Sequence, residues 1–159
     1  MQAERPRISW RKSRIEPSGT IGWTGSSKEN TMSLRVIRTE HAPAAIGPYS
    51  QAIVAGGWLY VSGQLGLDPA TGQLAAGGFA AQARQAVENL RHIIEAAGYR
   101  LADVVAVDAY LTDIAEFAAF NALYEGVFTA HKPARAVVEV KGLPRGALVE
   151  IKCTAYHTE

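Results

Sequence analysis

The chain reads as an α+β domain in which two helices cover one face of a β-sheet. Three observations predict it. Apolar residues recur in steps of three and four from Phe79 to Ala97, and again from Phe117 to Phe128. Short alternating apolar segments stand before, between and after those two stretches, in the order strands, helix, strand, helix, strands. The length of 159 residues and a net charge of +1 suit one compact domain.

Residues 1–31 stand apart. They are rich in Arg, Lys, Ser, Gly and Pro and carry no helical or alternating period, so they are expected to be a disordered or non-native extension. A leader ahead of a start at Met32 and a native tail both fit. A transit peptide fits less well, because Glu4, Glu16 and Glu29 spoil its acid-poor pattern. The single domain is expected over 32–159.

From there the elements follow in order. Arg35 to Thr39 suits a short strand. Ser50–Ala55 and Trp58–Gly63 are apolar runs joined by Gly56-Gly57, the dipeptide of a hairpin turn. Asp68-Pro69-Ala70-Thr71-Gly72 carries turn chemistry. The first helix runs over Phe79–Ala97, with Gly98 as its C-terminal cap. Val104–Leu111 is a strand, Glu116–Ala130 the second helix with Pro133 after it, and Arg135–Lys141 and Leu148–Tyr156 the last strands. Alternation assigns Val105, Val107, Ala109 and Leu111 to the helix side, with Ala136, Val138 and Val140, and with Val149, Ile151, Cys153 and Ala155. Arg135, Val137, Glu139 and Glu150 would then share the opposite face. That face mixes charge with Leu, Val and Tyr, which suits burial against a second subunit.

Composition excludes several function classes. The flat charge balance argues against a nucleic-acid footprint. Lone Cys153 leaves no internal disulfide and no cysteine-based zinc site, and it suits a reducing compartment. No apolar run approaches the roughly 20 residues of a membrane span, so a cytoplasmic protein is expected. There is no nucleophile elbow, phosphate loop or dinucleotide fingerprint, and His41, His92, His131 and His157 lack metal-ligand spacing. Polar residues at strand ends remain. Arg135 follows Lys132-Pro133-Ala134 and suits either a salt bridge, for instance to Glu139, or a bidentate grip on a carboxylate. Glu150, between Val149 and Ile151, is either an outward residue of its strand or a base for water. Tyr49 offers a phenol or a core plug. Asn121 interrupts an apolar helix face and needs a partner if buried.

In combination these residues resemble the YjgF/RidA family. The matching stretches are Ile46-Gly47-Pro48-Tyr49-Ser50-Gln51-Ala52, Val61-Ser62-Gly63-Gln64 with Asp68-Pro69 and Thr71-Gly72, the helix bearing Gln82, Gln85 and Asn89, then Asn121, Tyr124 and Phe128. Pro133-Ala134-Arg135, Leu143-Pro144 and Val149-Glu150-Ile151 complete the set. The resemblance implies a chorismate-mutase-like fold with a mixed sheet, a homotrimer with clefts between subunits, and hydrolysis of 2-aminoacrylate-type imine or enamine acids to 2-keto acids and ammonia. It implies no cofactor and no metal. Carried over position by position, Arg135 fixes the substrate carboxylate and Glu150 positions the water. Tyr49 and Asn121 shape the cleft, and main-chain groups near Gly63 and Val137 hydrogen-bond the reacting atoms. Two departures are Val137, where many relatives have cysteine, and Gly66, where many have proline. The competing functions are a non-catalytic small-acid-binding regulatory trimer and a chorismate-mutase-type rearrangement. One arginine is thin support for the latter.

Overall fold

The computed structural model describes residues 34–157 and the two-residue strand Thr20–Ile21. The expectation for residues 1–31 otherwise lies outside the described residues. The strands are β1 (Thr20–Ile21), β2 (Leu34–Ile37), β3 (Ala52–Ala55), β4 (Trp58–Leu65), β5 (Val104–Leu111), β6 (Ala134–Glu139) and β7 (Val149–Tyr156); the helices are α1 (Gly78–Ala96) and α2 (Phe117–Val127). They form one mixed sheet in the order β1-β2-β3-β4-β7-β5-β6, in which, among the described residues, only β5 and β6 pair in parallel. The strand–α2–strand crossover makes that pairing parallel, because a strand returning through a helix arrives in the same direction. β7 lies between β4 and β5, antiparallel to both.

Local chemistry explains the boundaries. Gly56 and Gly57 both hold left-handed backbone, φ 54° and 81°, which a two-residue hairpin between β3 and β4 requires. α1 buries Phe79, Ala83, Ala86, Leu90, Ile93 and Ile94 at helical spacing. It ends in a Schellman pair: the Gly98 amide donates to the Glu95 carbonyl and the Tyr99 amide to the Ile94 carbonyl. α2 stops at Val127, three residues short of the expected Ala130. There the Lys132 ammonium donates to the Phe128 carbonyl at 2.9 Å and supplies a cation at the helix end.

The core lies between the helices and one face of the sheet, with Leu59, Val107, Phe120, Val149 and Ile151 fully enclosed. The other face leaves Trp58, Tyr60 and Tyr156 partly open, with the Trp58 and Tyr156 rings 4.7 Å apart. Two face assignments from alternation are corrected. A register shift between Val104 and Ala106 turns Val104 inward and leaves Val105 exposed. In β6, Arg135 pairs with Val107 and Val137 with Ala109, so Arg135, Val137 and Glu139 point to the helix side. Ala136 and Val138 therefore point away from the helices and are exposed. β6 ends the sheet, and a short edge strand with apolar residues on both sides has no alternation for burial to impose.

Candidate functional site

The first half of the site is built on α2 and the start of β6. The Arg135 guanidinium carbon lies 4.5 Å from the Tyr124 ring centroid, 5.8 Å from Phe117 and 5.9 Å from Phe120. Its Nη2 donates to Asn121 Oδ1 at 2.7 Å, which fixes the plane of the fork. The expected partner Glu139 is engaged elsewhere, its Oε2 accepting from the Ile114 amide at 2.9 Å. Among the described residues no carboxylate pairs with Arg135. Asn121, Tyr124, Glu125, Lys132, Pro133 and Arg135 line an open hollow of about 530 Å³. An aromatic-backed, side-on-held guanidinium with its remaining donors unpaired is suited to receive an external carboxylate. Half-buried Val137 follows on the same side of the edge strand.

The second half lies on the other face of the sheet, at the bulge in β4. Val61 pairs with Cys153 and Gln64 with Ile151, so Ser62 and Gly63 together face Lys152 alone. The bulge brings Gly63 under Glu150. A methyl group on Gly63 would collide with Oε1, Cδ and Cγ of Glu150, so glycine here leaves the space that the carboxylate fills. Burial pushes the Glu150 carboxyl up from its ordinary value, with nearby Lys152 pulling the other way. A cleft of about 590 Å³ opens over Gly63 and Glu150, and Tyr49, Ile46, Leu67 and Arg145 also line it.

Buried amides hold this cleft in shape. Gln51 Oε1 accepts from the Thr39 amide at 2.8 Å, while its Nε2 donates to the carbonyls of Thr39, Ala42 and Pro43. Fully buried Asn89 donates to the carbonyls of Leu65 and Leu67, and Gln82 Oε1 accepts from the Leu148 amide. Gly66 sits hard against the Gln82 backbone, where any Cβ would clash.

The structure thus joins Arg135 with Asn121, and Glu150 with Tyr49 and Gly63, but it keeps the two groups on opposite faces of one chain. Strand alternation alone puts Arg135 and Glu150 on one face. It is silent on Arg145, whose signal in the sequence is a cation between Pro144 and Gly146 just ahead of the Glu150 strand. Cys153 is buried in the core, and burial pushes its thiol up to about 12, so it remains a protonated packing group. His92 Nδ1 sits 2.8 Å from the His41 carbonyl and His131 Nε2 sits 2.6 Å from the Val104 carbonyl, both in structural contacts. Among the described residues no group of three or more His, Cys, Asp or Glu side chains is placed to hold a metal ion, and no helix is long and apolar enough to cross a membrane.

Comparison with known proteins gives consistent neighbours. The family described as endoribonuclease L-PSP matches residues 39–157. A RutC family protein of Pyrococcus horikoshii is 50% identical over 121 residues, 76% of this chain and 96% of that protein. The 2-iminobutanoate/2-iminopropanoate deaminase of Homo sapiens is 46% identical over 121 residues, 76% of this chain and 88% of that protein. The crystal structure of RidA from an Antarctic Psychrobacter matches with a TM-score of 0.75 at 47% identity, covering 77% of this chain and 99% of that one. E. coli TdcF with bound serine matches with a TM-score of 0.74 at 35% identity, covering 78% of this chain and 99% of that one.

Proposed function

This chain belongs to the YjgF/RidA family, and from that premise we propose that it hydrolyses small 2-imino and enamine acids to 2-keto acids and ammonia. The observation that carries the reading is Arg135, an oriented guanidinium without a carboxylate partner among the described residues. Relatives named as imine deaminases and a relative holding an amino acid support a small carboxylate as its ligand. The RNA reading suggested by the family description has less support, because a net charge of +1 is a poor match for a polyanion.

A complete site needs two copies. Arg135 of one subunit faces Glu150 of the next across a cleft of a homotrimer, and the open aromatic face of the sheet is the surface that packs between subunits. In that cleft Arg135 grips the carboxylate and fixes the imine carbon at short range to the water. Glu150 takes a proton as the water oxygen bonds to the imine carbon. It returns that proton to nitrogen, giving a carbinolamine, then carries the carbinolamine hydroxyl proton to nitrogen as the carbon–nitrogen bond breaks, so ammonia leaves and the ketone forms. Main-chain groups beside Gly63 and Val137 hydrogen-bond the nitrogen and the water, and Tyr49 and Asn121 shape the walls. The residue set calls for no cofactor.

The test generates imines in situ with an amino-acid oxidase and traps them with semicarbazide. At substoichiometric concentration the protein is expected to suppress the semicarbazone and speed ammonia release. Suppression only at stoichiometric protein would mean binding without turnover, the regulatory alternative.

A further inference from the structure

Arg145 is the only residue other than glycine with positive φ among the described residues, at φ 61° and ψ 14°. The turn is closed around it, with the Gly146 amide donating to the Leu143 carbonyl and the Ala147 amide to the Pro144 carbonyl. A β-carbon is disfavoured in this conformation, and residues held so against their preference collect at ligand-contacting positions. Arg145 lines the Glu150 cleft, and among the described residues its guanidinium has no hydrogen-bond or ion-pair partner. Around it the wall is largely apolar, with Pro43, Ala44, Ile46, Leu65 and Leu67.

We propose that Arg145 holds the distal carboxylate of a dicarboxylic 2-imino acid, of the succinate or glutarate type, and so selects acidic over aliphatic substrates. This rests on the imino-acid reading of the cleft. With Arg135 taking the carboxylate beside the imine, Arg145 is a second cation beyond the reacting carbon, and the apolar wall between accommodates a short methylene chain. A distal carboxylate would meet repulsion from Glu150 unless a cation faced it, and Arg145 supplies that cation. A monocarboxylic imine leaves Arg145 without a partner and gains nothing from the left-handed turn.

The test compares imines released by oxidases from glutamate and from alanine, using the full chain and its Arg145→Gly and Arg145→Lys variants. Glycine accepts φ near 60° without strain, so Arg145→Gly keeps the turn and is expected to melt no lower than the parent. The ratio of kcat/KM for the diacid over the monoacid should fall about tenfold in Arg145→Gly, the scale of one charge-assisted contact, and recover in part in Arg145→Lys. An unchanged ratio overturns the proposal. Calorimetric binding of 2-oxoglutarate against 2-oxobutanoate reads the same preference without turnover. If the parent hydrolyses neither imine, the deaminase reading falls, while a keto-diacid preference lost in Arg145→Gly still upholds Arg145. No preference in the parent overturns it.

Discussion

Arg135→Ala is expected to lower kcat/KM for imine hydrolysis by roughly two to three orders of magnitude, the cost of removing a charged partner that a carboxylate meets in two parallel hydrogen bonds. The loss should appear in both kcat and KM, because the same grip binds the substrate and sets the imine carbon against the water. Arg135→Lys should restore little. An ammonium has no planar fork to lie on the Tyr124 ring while donating sideways to Asn121. Arg135 is exposed, so folding loses only its exposed cation–π contacts with Phe117, Phe120 and Tyr124 and one hydrogen bond, and the melting temperature should fall by no more than a few degrees. Steady-state trapping kinetics beside a thermal melt check both halves; undiminished turnover would remove the arginine from the mechanism.

Glu150→Gln is expected to cost about 10²–10⁴ in kcat, the usual contribution of a positioned proton carrier. Its pH signature separates it from a packing change. Burial holds the Glu150 carboxyl above its unfolded value, so the native state binds more protons than the unfolded state between those two values. Stability therefore falls as pH rises through that window, and the ionised group is a net cost above it. Glu150→Gln should be at least as stable as the parent at neutral pH and should lose that dependence. In the parent, the acid limb of kcat/KM should be shifted up from the ordinary glutamate value, and in Glu150→Gln it should vanish. A limb that survives the substitution unmoved would assign the base elsewhere.

Much of this fold was legible because its signals are local. α1 announced itself through apolar steps and Gly98, and the β3–β4 hairpin through Gly56-Gly57, since in each case the residues that set the geometry are neighbours in sequence. The face of β6 was not legible. Ala136, Val137 and Val138 are apolar on both sides, and only pairing with β5 decides which side meets α2. The bulge at Ser62-Gly63 was hidden for a similar reason, because its register depends on β7. Arg135, Glu150, Tyr49, Gly63 and Asn121 were each singled out from the sequence. Their division into two groups was not, as it follows from sheet register. Arg145 is not legible because glycine is the residue type that ordinarily takes left-handed backbone, and the structure has both Arg145 and Gly146 in it.

The central claim is that each cleft takes Arg135 from one subunit and Glu150 from its neighbour, and mixing the two inactive variants tests it most directly. With Arg135→Ala and Glu150→Gln chains coexpressed in equal amounts, a cleft is intact when its arginine donor carries Glu150→Gln and its glutamate donor carries Arg135→Ala. Each condition holds half the time, so random assembly should restore about one quarter of parental imine hydrolysis. Activity no higher than the average of the two separate variants would mean that no cleft combines residues from two chains, and would contradict the shared site.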